Sequence, residues 1–198
     1  MFELHIRHCR VKIHFSIFVL LAFLSLFAGI KHGVFLMISV LLHEFAHLGM
    51  MFHLKKAPSL IVVSGLGLRI QLPFGSNLAY KDNIKISLAG PLMNLLIGGI
   101  SLLFQQQEWA FISFALGIVH LLPIEPLDGG LALRAFFSLQ CGAEKARKIT
   151  FVISLLFLFP MLVFGFIMLL QSRNNFSLLA LSVYLMIYLV VKKDLFMA

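Results

Sequence analysis

What most limits the folds open to this chain is a succession of long apolar runs, with the charged residues gathered between them. A helix that crosses the hydrocarbon core needs about 20 mostly apolar residues, because in lipid the backbone must satisfy its own polar groups. Six stretches meet this length, some at its short end: 14–30, 33–52, 84–104, 109–124, 149–170 and 176–191. Soluble domains carry about 45–50% apolar residues; here the hydrophobic share is 61% over 198 residues. The expected fold is all-α and polytopic, one membrane domain over residues 1–198 in a multi-pass protein of the cell membrane.

Charge supplies the orientation. From the N-terminus, the segments around and between the six runs hold 3, 1, 5, 0, 4, 1 and 2 Lys or Arg residues, so alternate segments total 14 and 2. Basic loops stay in the cytosol, which places both termini there, together with the loops after the second and fourth runs. The net charge of +8 therefore points to helix orientation and anionic lipid, and nucleic acid is not an expected partner. The first run resembles a signal peptide but is needed to start the alternation, so it is read as a retained anchor. Cys9 and Cys141 fall in cytosolic segments without metal-ligand spacing and are read as ordinary thiols.

Two segments are too short or too mixed to span. Residues 60–72 carry β-branched residues on either side of Ser64-Gly65, which predicts a small β-hairpin between the second and third helices. Residues 131–148 mix apolar and basic positions, which suits an amphipathic helix at the cytosolic face and a solvated linker equally.

The chemistry is carried by His43-Glu44-Phe45-Ala46-His47. Residues four apart share a helix face, so both imidazoles can reach one zinc ion, with Glu44 beside them as a general base. At 1.5 Å per residue, His47 lies about 9 Å and His43 about 15 Å from the cytosolic end of its helix. Polar groups at that depth are costly without partners, so a metal or a polar cavity is their natural explanation.

A catalytic zinc usually takes three protein ligands, so a third must come from elsewhere. The acidic residues that share the cytosolic leaflet are Glu125 and Asp128, in Leu121-Leu-Pro-Ile-Glu-Pro-Leu-Asp-Gly-Gly130. There Pro123 and Pro126 break the helix, and two glycines let the backbone turn. Spacing alone leaves both carboxylates open.

The blocks His43-Glu-Phe-Ala-His47 and Pro123-Ile-Glu-Pro-Leu-Asp-Gly129 together resemble the site-2 protease family of intramembrane zinc metalloproteases. Ser87-Leu-Ala-Gly-Pro-Leu-Met-Asn94 resembles that family's Ala-Gly-Pro segment, although a Gly-Pro kink with a helix-helix polar contact would explain it equally. The resemblance covers roughly residues 5–195. It implies one zinc ion per chain, held by His43, His47 and Asp128, with Glu44 as the base. It also implies a membrane-associated protein substrate, and leaves room for inhibitory membrane proteins as partners.

Within the family the pattern looks most like the sporulation branch, whose members cleave the membrane-associated pro-form of a sigma factor. Two departures stand out. His120 occupies the place of an asparagine thought to hold the substrate strand; it could donate a hydrogen bond to that strand in substrate binding, bind the metal, or merely pack. A regulatory CBS domain follows the sixth helix in that branch, and none is expected here. The rival readings are a membrane metal-ion transporter, which would spread ligands over both leaflets, and a non-catalytic scaffold, which would have no need of Glu44.

Overall fold

The computed structural model describes residues 2–6, 9–13, 15, 29–56, 58, 60–64, 67–71, 78–172 and 176–195. In chain order these form β1 (Phe2–Ile6), β2 (Cys9–Ile13), α1 (Ile30–His53), β3 (Leu60–Ser64) and β4 (Gly67–Gln71). They continue with α2 (Tyr80–Leu103), α3 (Gln107–Leu121), α4 (Asp128–Cys141), α5 (Ala143–Ser172) and α6 (Ser177–Leu195). Two compact units divide the chain, residues 1–118 and 119–198. The first apolar run, 14–30, lies almost wholly outside the described residues.

Among the described residues, three helices, α1, α2 and α5, are long and apolar enough to cross a membrane; α6 contributes a shorter apolar stretch over Ser177–Val191. Their apolar surfaces are turned outward. On α5, Leu156, Phe159 and Leu170 are all more than 65% exposed, an arrangement water would penalise and lipid tails accept. α3 has 15 residues and stops at Leu121, three short of the predicted end, because Pro123 cannot continue the ladder. The expected 131–148 helix is divided by Gly142, at φ 82. Its first part is α4, and its basic end forms the first turns of the 30-residue α5.

In the first unit, β1 to β4 form one sheet in sequence order. β3 and β4 pair antiparallel, with Val62 opposite Arg69. β2 runs parallel to β3, with Val11 opposite Ile61, and antiparallel to β1. The N-terminal strands thus form a pair that closes one side of the 60–71 hairpin.

α1 packs against α2, and both end in the same way. A residue in the left-handed region, Lys55 or Gln105 (φ 57 each), lets the next N–H reach back to Met51 or Ser101, which satisfies carbonyls that the helix leaves over. Towards α3, the indole of Trp109 donates to Ser39 Oγ at 2.9 Å, and Ser39 Oγ lies 2.9 Å from Ser113 Oγ. Gly98 meets the ring of Phe114, and a Cβ there would overlap it. Small residues let helices approach where no hydrophobic drive between them exists.

In the second unit, α5 packs against α4 and α6. Its core is Ile124, Leu158, Leu185 and Leu189. Ile124 comes from the loop between Pro123 and Pro126, so burial of that one side chain ties the loop to α5 and α6.

Candidate metal centre

His43 and His47 stand one turn apart on α1 and are 3% and 7% exposed, whereas Phe45, between them, is 62% exposed. The helix thus turns its imidazoles inward and its phenyl ring outward, as the 3.6-residue period dictates. Glu44 is half-buried on the same turn.

Each ring is oriented by a group on α2. His47 Nδ1 lies 2.7 Å from the carbonyl of Ile86. A carbonyl only accepts, so Nδ1 carries the proton and Nε2 the lone pair. His43 Nδ1 lies 2.9 Å from Asn94 Nδ2. The two Nε2 atoms face each other at 3.1 Å.

This spacing fits a shared ion. Two nitrogens each roughly 2.0–2.1 Å from one zinc at a tetrahedral angle stand about 3.3 Å apart. Gly90 leaves the room needed in front of them: a Cβ there would lie 2.6 Å from His43 Nε2 and would also strike His47 Nε2. Ring nitrogens that converge beside a position where no side chain fits, each ring held from behind, suit a small cation.

Asp128 and His120 belong to the second unit. Asp128 opens α4, and its Oδ2 lies 2.7 Å from His120 Nδ1. Glu125, the other carboxylate left open by spacing, is 5% exposed and engaged within its own unit: Arg134 Nη1 stands 3.0 Å from its Oε1. The Glu125 backbone N–H donates to Ser154 Oγ at 3.1 Å. Here Glu125 fastens the loop, while Asp128 is oriented by an imidazole. The glycines act differently from the expectation. Gly129 and Gly130 lie inside α4, and a Cβ on either would run into the backbone at Leu121 or Ile124; they let the loop lie flat on the helix start.

Asn94 and Gly90 are not among the site residues that the sequence predicts; their block resembles the family's Ala-Gly-Pro segment and fits a Gly-Pro kink with a polar helix contact equally well. The available signal was an asparagine deep in an apolar span, four residues from a glycine and so on the same face.

No family model matches the chain. It is 28% identical over 158 residues to stage IV sporulation protein FB of Bacillus subtilis, a match covering 74% of this chain and 55% of that protein. It is also 28% identical over 166 residues to a zinc metalloprotease of Methanocaldococcus jannaschii, covering 76% of this chain and 46% of that one. The chain spans about half the length of the curated relatives it matches. Among solved structures, the site-2 protease from Methanocaldococcus jannaschii superposes with a TM-score of 0.65 at 25% identity, over 93% of this chain and 91% of that one. The class is therefore that of helical membrane proteins with the fold of a site-2 protease. The chain is similar to site-2 proteases and zinc metalloproteases, the likeness that its two motifs implied.

Proposed function

We propose that this chain is an intramembrane zinc metalloendopeptidase that hydrolyses a peptide bond of a membrane-associated protein near the cytosolic face. The observation that carries the reading is the buried pair His43 and His47, with Nε2 atoms 3.1 Å apart beside the gap left by Gly90. His43, His47 and Asp128 are the proposed ligands of one zinc ion, and the Leu127-Asp-Gly129 motif and the relatives' zinc chemistry support Asp128 as the third. When bound, zinc supplies Lewis acidity, which polarises a carbonyl and makes a water more acidic.

Glu44 acts on that chemistry as general base. It takes the proton of the attacking water and returns it to the leaving amine, so no covalent acyl-enzyme forms. His47 Nδ1–H, fixed on Ile86 O, keeps its ring in the tautomer that can bind a metal. His120 shares its Nδ1 with Asp128. As a neutral imidazole its Nε2 is then an acceptor, which suits a backbone N–H of the substrate strand.

A helical substrate must unwind to expose its peptide bond, and strand addition to the sheet offers a way to hold it extended. β3 is paired on both sides, so within the hairpin β4 is the edge that can accept a strand. The substrate class we favour is a membrane-associated pro-form of a sigma factor, in keeping with the sporulation relative.

The test is co-expression with a tagged pro-sigma-type substrate, comparing wild type with Glu44→Gln and measuring bound zinc in both. Cleavage by the wild type alone, with zinc retained in the variant, supports the peptidase. Zinc binding with no cleavage by either protein rejects the substrate class. Absence of zinc from both rejects the metal centre and favours the scaffold reading.

A further inference from the structure

Asp128 is the first residue of α4, so its carboxylate is placed only as well as the loop that leads into that helix. This loop has little backbone bonding to hold it. Pro123 and Pro126 have no N–H to give. The bonds from Ile124 N–H to Leu122 O and from Leu127 N–H to Ile124 O, both at 2.8 Å, close only local turns. The loop is fixed instead through side chains. Ile124 is wholly buried against Leu158, Leu185 and Leu189 of α5 and α6. Apolar burial is non-directional, so this anchor sets where the loop sits and not how it is turned.

The next residue supplies the direction. Glu125 is 5% exposed, and its Oε1 lies 3.0 Å from Arg134 Nη1. At 1.5 Å per residue, Arg134 stands about 9 Å further along α4 than Asp128. The ion pair therefore closes a ring of chain from Glu125 to Arg134, with Asp128 inside it. Ser154 on α5 holds the backbone of the same loop, accepting from Glu125 N–H at 3.1 Å and donating to Pro123 O at 3.4 Å. Consecutive side chains thus tie the loop to different elements, Ile124 to α5 and α6 and Glu125 to α4. A buried ion pair adds little net stability, because desolvation of the charges offsets their attraction, whereas removal of one partner leaves a buried charge uncompensated.

We propose that Glu125 and Arg134 are positioning residues for Asp128, their ion pair setting the turn of the loop from which α4 starts and so the direction of the Asp128 carboxylate. This rests on the reading of Asp128 as a zinc ligand given above. Without the arginine, the Glu125 carboxylate turns toward water, and the loop that carries Asp128 turns with it.

The experiment uses the full chain in detergent micelles, stripped with chelator and titrated with zinc against a chromophoric competitor. Arg134→Met should weaken zinc about 10- to 100-fold, the range for loss of support behind a metal ligand. Arg134→Lys keeps the charge and should recover most of that loss. Should Arg134→Met not fold, Glu125→Gln, equal in size and uncharged, takes its place under the same criteria. The deciding comparison is made in the Asp128→Asn background. An effect that acts through Asp128 disappears there, whereas a general loosening of the fold weakens zinc by the same factor in both backgrounds. Equal factors, or wild-type affinity in Arg134→Met, overturn the proposal. If Asp128→Asn itself binds zinc like the wild type, the reading of Asp128 as ligand is what fails. The brace is then judged without metal: hydrogen–deuterium exchange of the zinc-free chain over residues 124–131 should rise in Arg134→Met and not in Arg134→Lys, and unchanged exchange rejects it.

Discussion

At the scale of single residues, the site depends on what is missing as much as on what is present. Gly90 is the clearest case, since a methyl group there would occupy the space before both imidazoles. Gly90→Ala is expected to leave helicity unchanged and to weaken zinc by about tenfold or more, within the range for disturbed metal surroundings; chelator competition and circular dichroism test it together. Away from the site, Lys31 Nζ lies 2.7 Å from Glu108 Oε2. That hydrogen bond, then the lysine's charge, hold the Glu108 carboxyl below the usual carboxylate range. With a lowered folded value, the pair's contribution is present above the unfolded pKa and lost as pH falls through the folded one. Lys31→Met should return the Glu108 titration to the ordinary range in a carboxylate ¹³C pH series, and an unmoved midpoint would contradict the pairing. The pair is exposed, so little change in stability is expected.

At the scale of elements, β4 is where structure narrows the possibilities. A free hairpin would have two edges, but β2 takes the outer side of β3, so strand addition to the hairpin has one side left. Successive N–H groups of a strand point to alternate sides. Proline scanning along Gly67–Gln71 should therefore lower cleavage at alternate positions while the protein still binds zinc. Equal loss at every position, or no loss at any, would refute capture at this edge. The loop between α3 and α4 shows a related division of labour. Its carboxylates were indistinguishable by spacing, yet Glu125 is fastened to Arg134 and Ser154, and Asp128 is held by His120. The helix spans themselves follow from local chemistry: apolar length set α1, α2 and α5, and Pro123 cut α3 short.

For the molecule as a whole, the alternation of basic segments expects the segment before α1 to face outside and the α1–α2 connection to face the cytosol. Reporter fusions at Lys31 and at Lys81 should report the outside and the cytosol in turn; the reverse would move the site to the other leaflet, and the same side for both would refute the crossing of α1. The sequence by itself determined the helical membrane class and the pairing of His43 with His47, because apolar length and a four-residue spacing are properties of local chain geometry. It also held the motifs that relate the chain to site-2 proteases. Only the tertiary structure decided that the N-terminal residues pair with the hairpin, that Gly90 and Asn94 face the imidazoles, and that Glu125 is already engaged by an arginine. Those facts depend on which faces meet across segments far apart in the chain, and no local periodicity encodes that.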